Sequence, residues 1–92
     1  MPHPAPRPKT GTYLDPEALR AAVEEAIDAS RYKLREVAEA VAELPQRDGS
    51  PPTVSSISGA KRQTGGSVYQ LQADILEALT GATLAGPLYR VG

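Results

Sequence analysis

Apolar and small side chains recur with a helical period in three stretches of the chain. Leu19, Ala22, Val23, Ala26 and Ile27 mark the first stripe, Leu34, Val37, Ala38, Val41 and Ala42 the second, and Val68, Leu71, Ile75, Leu76 and Leu79 the third. Side chains three and four residues apart share a helix face, so each stripe predicts one buried edge. Polar residues fill the opposite faces: Glu24, Glu25 and Asp28 in the first, Arg35, Glu36, Glu39 and Glu43 in the second. Val54 and Ile57, three apart, give a fourth and shorter helix a buried edge, with Thr53, Ser55, Ser56 and Ser58 turned outward.

End signals set the expected bounds. Asp15 is a good N-cap, Pro16 suits the first helical position and Glu17 suits the helix dipole. Residues 30–33 link the first helix to the second. Pro45 ends the second helix, because its ring disfavours helical geometry at Leu44 and it has no N–H to donate. The short helix is expected at 51–58, with Ser50 as N-cap, Pro51 at the first position and Gly59 closing it in the left-handed conformation. Gly65 and Gly66 form a hinge into a last helix over 67–80, which stops at Gly81 with Tyr69 at its wet edge. The predicted fold class is all-α, a small four-helix bundle over residues 13–81. A fifth helix is the alternative use of residues 82–92, but Pro87 interrupts that tail. Its Leu88, Tyr89 and Val91 suit a short strand, paired with residues 12–14 or with a second subunit.

Composition agrees with such a bundle. The chain has 92 residues and no Phe, Trp or Cys, so Leu, Ile, Val and Ala must fill a single small core. A chain of this size buries only about 60% of its unfolded surface, which keeps stability modest. No disulfide or thiolate chemistry is available, no apolar run reaches the ~18 residues of a membrane span, and the N-terminus has no apolar signal-peptide core. A soluble protein of the cytoplasm is expected. Residues 1–12, MPHPAPRPKTGT, alternate proline with other residues and carry Arg7 and Lys9 without an acid. They form an extended basic arm that either follows a DNA groove or is a solvated tail. His3 is the only histidine, too few ligands for a metal site. AKRQTGGS, residues 60–67, fails as a phosphate loop because no lysine follows its glycines. Adjacent Glu24 and Glu25 diverge on a helix and make no acid–base pair, so an enzyme is not expected, nor any cofactor.

The pieces LREVAEAV (34–41), TVSSISGAKR (53–62) and LQADILEALTG (71–81) resemble the lambda-repressor/Cro-like, or Xre-type, helix-turn-helix family of DNA-binding proteins. The resemblance covers residues 19–81 as a pattern. It implies that the small Ala38 lets the two helices of the motif cross closely, that Val54 and Ile57 anchor the recognition helix, and that this helix enters the major groove of double-stranded DNA. The turn is longer than the family's by about six residues, through 43–49. The exposed face carries serines where the family often has Gln, Asn or Arg.

Charge distribution says more than the total of −1. Residues 13–44 carry −4, whereas 45–66 carry +2 from Arg47, Lys61 and Arg62 against Asp48. With the family geometry, Ser50, Pro51, Thr53, Ser55 and Ser56 are the base-contacting candidates. Arg31, Lys33, Arg35, Arg47, Lys61 and Arg62 are the phosphate-contacting ones. Hydroxyls discriminate weakly between bases, so Gln46 or Arg47 would have to supply any strong bidentate contact. The expected function is a repressor-like, nucleoid-associated transcriptional regulator acting as a homodimer on two half-sites about 34 Å apart. The alternative is a protein-interaction module, antitoxin-like or an adaptor for RNA polymerase or another regulator, which would use the acidic helices or the tail.

Overall fold

A computed structural model describes residues 15–85 and 90–91. The fold is all-α: α1 (Pro16–Ser30), α2 (Leu34–Ala42), α3 (Val54–Arg62) and α4 (Gly66–Thr80), with a 3-10 turn at Pro45–Arg47 between α2 and α3. Helices α3 and α4 pack on each other, and each packs on both α1 and α2. Leu19, Val23, Ala26, Ile27, Val37, Ala38, Val41, Ile57, Ala60, Ile75 and Leu76 form one continuous core. Its side chains are small and aliphatic, as a chain without Phe or Trp requires. No described helix is long and apolar enough to cross a membrane.

The first two helices begin where their capping residues stand. Asp15 Oδ1 accepts the Ala18 N–H at 2.7 Å, and Pro16 follows at the first position. At the far end, the buried Ser30 hydroxyl donates to the Ile27 carbonyl at 2.7 Å and accepts the Tyr32 N–H at 3.2 Å. Arg31 closes α1 at φ 60, a left-handed conformation that non-glycine residues seldom adopt. Helix α2 opens with the Lys33 N–H donating to Glu36 Oε1 at 3.0 Å. It ends at Ala42, and Leu44 is extended ahead of Pro45.

The short helix differs from expectation at both ends. Its N-cap is Thr53, whose Oγ1 accepts the Ser56 N–H at 3.1 Å, and not Ser50. Pro51 is followed by Pro52, whose ring disfavours helical geometry at Pro51, so the helix cannot start there. Gly59 does not close it either. Helix α3 runs through Gly59 to Arg62 and stops at Gln63, which is extended. The buried anchors are therefore Ile57 and Ala60, while Val54, one turn beyond Ile57, is 45% exposed.

Helix α4 is the central element. Gln72, Ala73, Asp74, Ile75 and Leu76 are buried in succession, because α1, α2 and α3 cover it from three sides. Val68, Leu71 and Leu79, expected in its stripe, are half-buried, and so is Tyr69. Gly81 ends the helix at φ 77, its N–H bonded to the Glu77 carbonyl at 2.9 Å. Beyond it, Leu84–Ala85 and Arg90–Val91 form a two-residue antiparallel ladder, Leu84 opposite Val91 and Ala85 opposite Arg90. The strand at Val91 thus has a partner within the tail, at Leu84; residues 12–14 lie outside the described residues. The proline-rich arm, Leu88 and Tyr89 lie outside the described residues.

Candidate nucleic-acid interface

A recognition surface on a nine-residue helix needs that helix held in place, since a helix this short is marginal in isolation. Its N-terminal turn is capped by Thr53. Its C-terminal carbonyls, which have no partners inside the helix, are satisfied by side chains from two other helices. Gln72 of α4 donates from Nε2 to the Ala60 carbonyl at 3.0 Å and to the Gln63 carbonyl at 2.9 Å. Arg20 of α1 donates from Nη1 to the Lys61 carbonyl at 2.9 Å. Arg20 is steadied in turn by Glu17, at 2.7 Å from Nη2. The hydrogen bonds from Arg20, reinforced by its charge, hold the Glu17 carboxyl below the ordinary glutamate range and push the Arg20 guanidinium up.

The long turn between α2 and α3 is fastened just as specifically. Asp74, 2% exposed, accepts a hydrogen bond from Arg47 Nε at 2.7 Å on one carboxylate oxygen, and Arg47 Nη2 completes the ion pair at 2.6 Å from the same oxygen. The other oxygen takes Gln46 Nε2 at 3.1 Å and Gln70 Nε2 at 2.9 Å. Gln46 also donates to Glu77 Oε1 at 2.9 Å. A long turn would ordinarily loosen the angle between the flanking helices. Here Gln46 and Arg47 clamp it to α4.

These contacts sort the residues expected to meet DNA. Arg47 and Gln46 both bond Asp74, which ties them to the fold; Gln46 is exposed and Arg47 half-buried. Lys61 is half-buried, with Nζ 4.0 Å from Asp28 Oδ1. Arg62 is exposed and donates from Nη2 to Ser58 Oγ at 2.7 Å. Arg31, Lys33 and Arg35 are exposed around the first turn of α2. Ser50, Pro51, Thr53, Ser55 and Ser56 are all exposed, but Ser50 and Pro51 precede the helix. Thr53 and Ser56 share a hydrogen bond of 2.9 Å between their hydroxyl oxygens, which ties both to the cap. Ser55 makes no side-chain hydrogen bond among the described residues.

An open groove runs along the outer face of α3, lined by Leu34, Val54, Ser55, Ser58, Gly59, Arg62 and Gln63. Leu34 brings the first turn of α2 to its edge, with Lys33 and Arg35 as chain neighbours. On the other side of Ser55 and Gly59 the border is Val68 and Leu71. No acidic residue occurs between Asp48 and Asp74, and Asp74 is buried and paired. Most exposed carboxylates sit elsewhere, at Asp15, Glu17, Glu24, Glu25 and Asp28 at and along α1 and at Glu36, Glu39 and Glu43 along and just after α2, while Asp48 is exposed in the turn before α3. Among the described residues no group of His, Asp or Glu could hold a metal ion.

The residues missed in the sequence are those that aim α3: Arg20, Gln72 and Asp74. Each reads as a solvated polar position on an amphipathic helix. Their one visible signal is that Gln72 and Asp74 flank Ala73 immediately before the apolar pair Ile75 and Leu76. In comparisons with known proteins, no family model, no curated sequence and no solved structure matches this chain.

Proposed function

We propose that the protein is a sequence-specific DNA-binding regulator, repressor-like and dimeric, that inserts α3 into the major groove of double-stranded DNA. The observation that carries this reading is the acid-free outer face of α3: hydroxyls, a glycine and Arg62 line it, and the cations around the first turn of α2 adjoin it. A helix side that is narrow, uncharged or cationic and able to donate hydrogen bonds suits base edges between phosphates. The positive end of the α2 dipole favours a phosphate beside Lys33 and Arg35, in a turn that Glu36 already caps by accepting the Lys33 N–H. Phosphate contacts from Arg31, Lys33, Arg35, Arg62 and Lys61 set affinity and register. Ser55, with Thr53 and Ser56 near it, faces the bases, and its hydroxyl reads them tolerantly. Two copies on an inverted repeat would raise both affinity and discrimination.

A second reading, a protein-interaction module, is favoured by the aliphatic borders of the groove at Leu34, Val54, Val68 and Leu71. An adaptor or antitoxin-like partner would bury these. Salt separates the two, since affinity through several phosphates falls steeply with ionic strength and an apolar interface does not. The test is retention of fragmented host DNA in a gel shift at low and at moderate salt, with the bound fragments sequenced. A salt-sensitive shift that enriches an inverted repeat supports the regulator. No shift at low salt overturns it. A footprint that survives Ser55→Ala with Ser56→Ala unchanged removes these hydroxyls from the interface.

A further inference from the structure

Val54 occupies the first helical position of α3 and is 45% exposed on the face that carries Ser55, Ser58 and Arg62. Neither local nor tertiary stability accounts for it. Valine is a poorer helix former than alanine because its branched side chain loses rotamer freedom, and the core is closed by Ile57 and Ala60 without it. Leu34 borders the same groove but leaves Val54 open. Val54, Ser58 and Arg62 form one ridge at i, i+4 and i+8, aliphatic at its N-terminal end and cationic at its C-terminal end. Eight helical residues span about 12 Å, which is three to four base-pair steps of ~3.4 Å.

We infer that Val54 is a specificity residue that reads thymine, by seating its two methyl groups against the C5-methyl in the major groove. This rests on the DNA-binding reading above and names what that surface selects. Among unmodified bases, the thymine methyl is the one apolar group on the major-groove edge. An exposed branched aliphatic side chain among the hydroxyls of α3, beside Leu34 at the edge of the groove, therefore has the thymine methyl as its complementary feature on DNA. The serines beside it donate and accept equally well and add little choice. On this inference a preference for A·T pairs arises at the N-terminal end of α3 from Val54, while Arg62 holds the other end by charge.

The experiment uses the full chain and duplexes of about 30 base pairs taken from a random pool retained at low salt. Each thymine of a retained duplex is replaced singly by uracil, which lacks only the C5-methyl. At one or two positions the wild type should bind the thymine duplex about four-fold more tightly, the equivalent of the ~0.8 kcal/mol of one buried CH2 group. Val54→Ala should bring that ratio close to one with little change on the uracil duplex, and Val54→Ile should keep it. Val54 lies outside the core, so both variants should keep the wild-type circular dichroism and melting curve. Retained duplexes whose thymine-to-uracil ratio is one throughout, or is the same in wild type and Val54→Ala, overturn the role of Val54 while DNA binding stands. Retention of no duplex at low salt overturns both and points to a protein partner for the groove.

Discussion

Replacing Gln72 with leucine removes the one amide that caps α3 from inside the bundle, while nearly preserving volume. Gln72 is 1% exposed, and its Nε2 serves two carbonyls at once. The Ala60 carbonyl is in the core, where loss of its donor leaves a desolvated acceptor at a cost of about 1–3 kcal/mol. The Gln63 carbonyl is nearer the surface and regains water, so its loss costs ~0.5–1 kcal/mol. Burying leucine in place of an amide offsets ~1 kcal/mol of this, leaving a net destabilisation of about 2 kcal/mol. A domain of this length has a total stability of roughly 5–14 kcal/mol, so the change is substantial. It should lower Tm by ~8–16 °C at the 4–8 °C per kcal/mol expected for small domains. Urea unfolding followed at 222 nm should show a lower midpoint with an unchanged slope. Amide exchange should accelerate most at Gln63, whose N–H bonds the Gly59 carbonyl at 2.8 Å, and less within α1. Gln70→Leu, which loses a single bond from an exposed side chain, is the control and should stay within ~1 kcal/mol of the wild type. A Gln72→Leu protein within ~0.5 kcal/mol of the wild type, with normal protection at Gln63, would refute the claim that this side chain holds α3.

Arg47→Ala should cost about 3 kcal/mol in urea unfolding, because it leaves Asp74 buried with amide donors alone, whereas Arg47→Met with Asp74→Leu should fall within ~1 kcal/mol of the wild type. An equally large loss in the double variant would mean that packing, not charge, fastens the turn. Arg31→Gly should raise stability by ~1 kcal/mol, since φ 60 suits glycine, yet weaken DNA binding if the arginine meets a phosphate. Opposite signs in the melting and gel-shift assays are the expected result. Arg62→Ala should weaken binding to all retained DNA and reduce the salt slope by about 1, with a smaller effect from Lys61→Ala because Lys61 is half-buried beside Asp28. Equal affinity and slope in both variants would take these cations out of the interface. In an NMR titration Glu17 should ionise below the ordinary glutamate range and move back up into it in Arg20→Ala. A depressed value in the folded state means that this contribution to stability is present above the unfolded value and is lost as pH falls through the folded one.

Sequence by itself determined the four helices, the composition of the core and the ends where a local cap exists. Asp15 with Pro16, the stripes of α1 and α2, and Gly81 are all read from residues within about four positions of one another, the range over which a helix satisfies its own backbone. The sequence also shows the long acid-free stretch that makes α3 the candidate interface. Where α3 begins and ends was decided less locally. The double proline moved its start from Ser50 to Thr53, and its end moved past Gly59 because Gln72 and Arg20, 12 and 41 residues away in the chain from the carbonyls they meet, cap it at Arg62. That shift took Val54 out of the core and onto the candidate reading surface. The fate of Arg47 was likewise tertiary, set by a buried carboxylate 27 residues away. Helical periodicity assumes one buried face, and α4 has partners on three sides. Only the packed bundle could turn Gln72 and Asp74 from expected surface residues into the groups that hold α3 and the turn before it in place.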